Sequence, residues 1–453
     1  MQQTFMKTKP ILPLVLSMSL PMVLSMLVAS LYNIVDSYFV AKISDDAMTA
    51  LSLVFPIQNL INAVTIGFSI GANAVISYLL GAQKHEQANA AAGQCILYNA
   101  IHGVLLTIGC IAVTPFFLSL FTTQENIIRM GIEYSNIAFS FAVFMAVSMS
   151  MEKIFQAMGK MLLTMLCMMS GCIANIILDP MLIFGYGPFP AMGIQGAALA
   201  TGIGQALSMT LYILCYLGSQ LPIRISFRRH SWDMDSLRKM YAVGIPATLN
   251  LALPSLLISS LNRILASYSQ VFVLVLGVYY KLQTFLYLPA NGIVQGIRPL
   301  VGYNYGAQEY GRVQKIYRLA LVLSGGIMAV GTILCWVIPG QLIHLFSSDP
   351  STIAQGSAAL RIISLGFVVS AVSIISCGAL EGLGMGQPSL AISLLRYVLL
   401  IIPLSMLLSL FLDASGVWHA FWITEAIAAV LSYQLYRKRT FSAITPQDIK
   451  ATT

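Results

Sequence analysis

The sequence predicts an all-α membrane protein: twelve transmembrane helices in two six-helix lobes, related by a pseudo-two-fold axis along the membrane normal. Three observations predict it. Hydrophobic residues make up 58% of the 453 residues and DEKR only 9%, against about 25% charged in an ordinary soluble domain. Such a chain cannot supply a water-facing shell for its size. Its apolar residues fall into twelve stretches, each long enough for the roughly 20 residues that cross a bilayer. Phrases of the first half also return in the second at a nearly fixed spacing. A soluble enzyme, a disordered chain and a disulfide scaffold are excluded.

In chain order the stretches lie near 11–40, 49–79, 94–120, 131–151, 161–185, 193–217, 240–266, 271–298, 316–340, 354–380, 388–411 and 416–436. Lys7 and Lys9 precede the first with no small-residue cleavage site, so it reads as an uncleaved helix rather than a signal peptide. Interior prolines (Pro21, Pro56, Pro246, Pro254, Pro289, Pro403) would break soluble helices. In a membrane bundle they are tolerated as kinks. The seven cysteines lie in apolar stretches without metal-ligand spacing and read as buried small hydrophobes.

The net charge of +8 is read as loop asymmetry rather than as a nucleic-acid footprint. With twelve spans both termini face one side. That side collects Lys7, Lys9, Lys84, Lys153, Lys160, Arg224, Arg228, Arg229, Arg238, Lys239, Arg298, Arg312, Lys315, Arg318, Arg437, Lys438, Arg439 and Lys450, 18 in all. The other receives 4: Lys42, Arg129, Arg263 and Arg361. Lys281 and Arg396 fall inside spans. The excess predicts cytoplasmic termini.

Gly67, Gly71, Tyr78, Gly81, Ala82 and Gln83 recur as Gly292, Gly296, Tyr303, Gly306, Ala307 and Gln308, an offset of 225. FQAMGK (155–160) aligns with LEGLGM (380–385), and Pro21 with Pro246, at the same offset. Asp179-Pro180 and Thr201 align with Ile402-Pro403 and Thr424 at 223. Expected boundaries are therefore an N-lobe 1–217, a cytoplasmic linker 218–239 and a C-lobe with tail 240–453. Parallel repeats are a transporter architecture. No G-x-x-x-x-G-K-[ST] phosphate loop occurs, so transport would draw on an ion gradient.

Particular phrases then carry a family resemblance. LSMSLPMVLSMLVASLYNIVDSYFV in the first span, NIILDPMLIFG in the fifth and GIQGAALAT in the sixth resemble the multidrug and toxic compound extrusion (MATE) family. YKLQTFLYLPANGIVQGIRPLVGYNYGAQ around the eighth is similar to its MepA-type members, close to the DinF branch. The resemblance covers essentially the whole chain. It implies a drug or metabolite exporter driven by H⁺ or Na⁺ and cycling between outward- and inward-open states.

An ionised side chain at the bilayer centre costs at least about 2.5–3.5 kcal/mol, so each must be paired, neutralised or functional. Asp36 lies late in the first span, with Tyr32 four residues earlier on the same helical face. Removal from water favours the protonated form of a carboxyl group, which suits it to bind and release a proton. The matching stretch of the second half, LNRILASY, holds no Asp or Glu. Asn175 and Asp179 form another i, i+4 pair, and Thr201 lies in the sixth span. The resemblance implies that Asp36, Asn175, Asp179 and Thr201 form an ion-coupling cluster with Tyr32 beside it. Two readings of Asp179 stand, coupling or satisfying a helix broken at Pro180.

The seventh span holds no Asp or Glu, and Asn250 is its best polar candidate. This departs from Na⁺-coupled members, which carry an acid there, while Na⁺ at the first cluster stays open. Lys281 either pairs with Glu381 or Glu425 or lines the cavity. Glu425 either attracts cations or neutralises Lys281, and Gln283 is grouped with them as an accessory position. Arg298 and Arg396 are expected to snorkel to an interface. His102 and His419 read as satisfied bundle residues. Met161, Met165, Met168 and Met169 read as packing, with an adaptable ligand wall as the alternative.

These readings predict an H⁺-coupled antiporter, not an enzyme, that exports amphipathic cations. It needs no cofactor beyond H⁺ or Na⁺ and no nucleic-acid partner. It would act as a monomer in the plasma membrane. The rivals are a Na⁺-coupled exporter and a flippase or exporter of lipid-linked or polar metabolites in the same superfamily.

Overall fold

The structure, a computed structural model, describes residues 4–227 and 233–441. Arg228, Arg229 and Lys450 of the charge count, part of the expected linker and the tail beyond Phe441 lie outside the described residues. The long helices are α1 (Ile11–Ala41), α2 (Asp45–Gly81), α3 (His85–Ser119), α4 (Glu125–Ser140), α5 (Ala142–Ala157), α6 (Met161–Phe184) and α7 (Ile194–Gly218). They continue with α8 (Met234–Ala266), α9 (Gln270–Gly306), α10 (Tyr310–Val337), α11 (Pro350–Gly382), α12 (Gly386–Leu412) and α13 (Ala414–Phe441). Among the described residues eleven are long and apolar enough to span a bilayer, and α4 with α5, bent by 43°, brings the number to twelve when the pair is counted as one span.

The bend was not expected within 131–151, and its cause is tertiary. Phe141 packs its ring against Gly202 of α7, where a Cβ would lie 2.3 Å from the ring. The Thr107 hydroxyl donates to the Phe139 carbonyl at 2.8 Å. A side chain thus serves the ladder at the break, a recognised cause of kinks.

The sequence repeat extends to backbone details. Ser44 caps α2 by accepting from the Ala47 amide at 3.1 Å. Ser269, 225 residues on, caps α9 by accepting from Val271 at 3.2 Å. Both helices are followed by a glutamine in the left-handed region, Gln83 at φ 60° and Gln308 at φ 61°. Gly159 and Gly384, also 225 apart, turn with φ 74° and 78°.

The chain forms two compact units that differ from the expected lobes. Among the described residues, one comprises Thr4 and those within 24–248, the other 5–23 and 249–441. The initial stretch of α1 therefore belongs to the second unit, and the initial stretch of α8, with the segment before it, to the first. Glycines explain both assignments. In the first unit a Cβ on Gly71 would lie 2.1 Å from the Met240 carbonyl oxygen, and one on Gly67 2.7 Å from the Thr248 amide nitrogen. In the second, Cβ atoms on Gly292 and Gly296 would lie 2.8 Å from the Cα atoms of Val23 and Ser19. Small residues that let backbones approach drive helix association in lipid.

Polar straps reinforce the assignment. In the second unit Arg312 donates to the Lys9 carbonyl at 2.7 Å, and Lys7 pairs with Glu309 at 3.0 Å. In the first, Gln94 donates to the Asp233 carbonyl at 3.2 Å, and the Arg224 amide donates to Asn89 Oδ1 at 2.7 Å. The expected linker is in this way held on α3 at Arg224 and Asp233, on either side of its undescribed part.

Gly71→Ala and Gly296→Ala are each expected to lower the thermal unfolding midpoint of the purified protein. Alanine would gain about 1 kcal/mol in helix propensity. Overpacking typically costs about 1–3 kcal/mol, and backbone atoms cannot rotate away. An unchanged midpoint in both variants would contradict the close-approach argument.

The first unit has a core of Val54, Ile61, Tyr134 and Phe139 with their neighbours. The second is built on Leu257, Leu261, Tyr279, Phe367 and Trp418. Asn99 is a buried polar hub in the first, donating to the Ala146 carbonyl and to Ser69 Oγ, both at 2.9 Å.

Candidate functional site

Each unit holds, among its apolar helices, a polar centre that bears on function. The first is built on Asp36 of α1 and Asp179 of α6. Asp36 is 9% exposed and Asp179 0%. Each has a buried Oδ1 that no donor among the described residues reaches, and the two carboxyls interact electrostatically. Helix α6 runs unbroken past Pro180 to Phe184, so Asp179 does not serve as the cap of a broken helix.

Asn175 lies one turn before Asp179 and is buried. With its amide oxygen turned towards Thr201, that oxygen accepts from the Thr201 amide at 3.0 Å and its hydroxyl at 3.2 Å. The amide nitrogen then donates to Asp179 Oδ2 at 3.2 Å. Three of the expected residues are therefore joined across α6 and α7. Tyr32 interacts electrostatically with both aspartates.

Two residues of this centre were missed by sequence reasoning. Tyr134 of α4 is 1% exposed, interacts electrostatically with Tyr32 and both aspartates, and has a side-chain hydrogen bond with Gln58 of α2. Gln58 stands 225 residues before Gln283, and that spacing could have identified it.

The second centre overturns several charge assignments. Arg396 does not snorkel. It is buried on a π-helical turn, Leu395–Leu400, shortly before Pro403, which leaves an α-helical ladder position without its N–H. Its Nε donates to Glu425 Oε1 at 2.7 Å, and its Nη2 lies 2.6 Å from the same oxygen. Nη1 donates to the Tyr397 hydroxyl at 3.2 Å. Glu425 Oε2 is buried without a donor. Tyr279, Tyr280 and Tyr287 lie within electrostatic reach of this pair, and Tyr287 hydrogen-bonds Gln283 and Ser370.

Lys281 pairs with neither proposed acid. It is exposed, with its Nζ 5.7 Å from the Phe346 ring. Arginines have taken both carboxylates, Glu425 as above and Glu381 through Arg298 Nη2 at 2.6 Å. Arg298 is likewise no interfacial snorkel, because its side chain is only 17% exposed. Asn250 donates to Glu381 Oε1 and to Ser389 Oγ, both at 3.1 Å. An acid thus does lie against the seventh span, but it comes from α11 with an arginine bound to it.

Lys153 also departs from its loop assignment. It is a buried helix residue paired with Glu152 at 2.7 Å. His419 matches its expected role, its Nδ1 accepting from Trp422 at 3.0 Å; His102 matches it only in part, because Nε2 meets the Tyr241 hydroxyl at 2.9 Å while the buried Nδ1 has no partner among the described residues. All seven cysteines are free, though Cys172, Cys215 and Cys377 are only half-buried. Met161 is core, while Met165, Met168 and Met169 are half-exposed.

Known proteins agree with this architecture. A sequence model of the MatE family matches residues 21–181 and 246–407, two segments that begin 225 residues apart. The multidrug export protein MepA of Staphylococcus aureus is 24% identical over 442 residues, 97% of each chain. Its namesake in Staphylococcus haemolyticus is 25% identical over 415 residues, 91% of this chain and 90% of its own.

Two solved structures superpose closely. One, described as the outward-facing conformation of a multidrug resistance MATE family transporter of the MOP superfamily, gives a TM-score of 0.92 at 22% identity over 98% of this chain and 99% of its own. The Vibrio cholerae MATE transporter VcmN, solved as an aspartate-to-asparagine mutant, gives 0.90 at 23% identity over 97% and 99%. These relatives are transporters rather than enzymes. The matched segments cover most of the chain and both repeats, and the chain belongs to the MatE family of multi-span membrane transporters.

Proposed function

We propose that this protein is a proton-coupled multidrug exporter, an antiporter that moves amphipathic organic cations out of the cell by alternating access. The observation that carries the reading is the buried pair Asp36 and Asp179, each with an undonated oxygen. Two carboxylates in a medium of low dielectric repel each other, and a proton or an organic cation relieves that repulsion. Proton and substrate then compete for one charge, which is what exchange requires. The titration belongs to the pair rather than to either acid.

Asn175 and Thr201 hold Asp179 in place and complete the ion-coupling set. Tyr32 lies beside the acids as an accessory to substrate contact. Gln283 and Glu425 supply polar groups in the second centre, and Lys281 is assigned as an exposed accessory side chain. No cofactor other than the coupling ion enters, and no nucleic acid. The protein acts as a monomer in the cell membrane with both termini cytoplasmic, in keeping with the Lys/Arg asymmetry.

Na⁺ coupling is the second reading. The carboxylate, amide and hydroxyl oxygens of Asp36, Asp179, Asn175 and Thr201 are a donor set that also suits a small hard cation. Efflux of a panel of fluorescent organic cations from cells under imposed gradients separates the readings. Proton coupling predicts efflux that follows the pH gradient in Na⁺-free medium. Efflux that follows only the Na⁺ gradient would replace it. Movement of lipid-linked sugars with no cation efflux would favour the flippase.

A further inference from the structure

Two thiols of the first unit face each other across α6 and α7. The Sγ atoms of Cys167 and Cys215 are 3.9 Å apart, and both residues are free. We propose that they form a redox-closable dithiol, which a two-electron oxidant such as hydrogen peroxide converts to a disulfide tying α6 to α7.

The helices around the pair are held in register. Ser208 Oγ donates to the Cys167 carbonyl at 3.2 Å, and the Tyr212 hydroxyl donates to the Thr164 carbonyl at 3.1 Å. One turn after Cys167, a Cβ on Gly171 would lie 2.0 Å from Ser208 Oγ and 2.6 Å from the Gly204 carbonyl oxygen. The sulfurs therefore face each other between backbones that cannot slide apart freely. Closure brings them from 3.9 Å to a bond of about 2.05 Å.

Access is also provided. Cys167 is buried, but Cys215 is half-buried and lies three residues before α7 ends at Gly218, about 4.5 Å along the axis. Cys172, also on α6, is five residues from Cys167 and so lies about 140° further round the helix. It serves as an internal control.

The chemistry balances with the oxidant alone. The Cys215 thiol, as thiolate, attacks one peroxide oxygen, the O–O bond breaks, and a sulfenic acid and water result. The Cys167 sulfur then attacks the sulfenic sulfur, forming the S–S bond and releasing a second water. Two thiols and one peroxide become one disulfide and two waters. The tie joins the same helices that the Asn175–Thr201 contact bridges, but it requires no functional assignment of that contact.

The test uses full-length protein in native membranes, treated with hydrogen peroxide, blocked with N-ethylmaleimide, digested and analysed by mass spectrometry without reduction. A peptide linking Cys167 to Cys215 is expected. It should be lost after dithiothreitol, absent in Cys167→Ser and Cys215→Ser, and retained in Cys172→Ser. Recovery of both thiols as maleimide adducts after peroxide would overturn the proposal. So would a Cys172–Cys215 link, or sulfinic acid at Cys215 without cross-linking. The wild-type spectrum decides the matter even if a serine variant does not accumulate.

Discussion

Asp36→Asn is expected to reduce organic-cation efflux to the level of cells lacking the protein, with no loss of folded protein. The substitution is close to isosteric, and Asp36 Oδ1 accepts no hydrogen bond that the amide would forfeit. Removing a buried charge also removes a desolvation cost, so stability should hold or rise. In the proposed mechanism, what disappears is the charge for which proton and substrate compete, and the remaining acid loses its partner. Vesicle transport with gel-filtration profiles of the purified variant checks both halves. Undiminished efflux would sink the mechanism. Asp179→Asn should act in the same direction, with some cost to the junction it shares with Asn175 and Thr201.

The second large effect is on stability, at Arg396 and Glu425. Their side chains are 7% and 13% exposed, so solvent screens the pair little. Removing one member of a buried pair leaves the other charge unpaired and typically costs about 3–5 kcal/mol. Arg396→Met and Glu425→Gln should each unfold at clearly lower temperature. The double variant should recover most of the loss, because replacing both charges of a buried pair together is often nearly neutral. Thermal unfolding of the four proteins measures this directly. Single variants within about 0.5 kcal/mol of the wild type, the range of ordinary surface changes, would show that the two charges are not coupled.

The contrast between the centres shows which features the sequence made legible. Asp36 and Asp179 stood out because a carboxylate in an apolar run has no inexpensive explanation. Their i, i+4 companions Tyr32 and Asn175 followed from helical period. Tyr134 did not, since an aromatic in a span is ordinary until its neighbour is known, and Gln58 was legible only through its repeat spacing to Gln283. Pairings between helices were the least legible. Period tells which face of α12 bears Arg396, not that α13 brings Glu425 against it, and so Lys281 was given acids that arginines hold. Repeat spacing located the glycines at 67, 71, 292 and 296. Their role in drawing the first stretches of α8 and α1 into the two units depended on contacts between residues far apart in sequence. The bend at Phe141 was invisible for the same reason, because Gly202 and Thr107 make it.

Counterflow in proteoliposomes tests the central claim most directly. Purified protein would be reconstituted in Na⁺-free buffer with a pH-sensitive dye inside, and an organic cation supplied on one side under an imposed pH gradient. The account predicts cation accumulation against its own gradient, driven by the pH difference and accompanied by proton movement in the opposite direction. Both fluxes should vanish when the pH gradient is collapsed and in Asp36→Asn. Accumulation that survives collapse of the pH gradient, or that proceeds without proton counterflow, would contradict it.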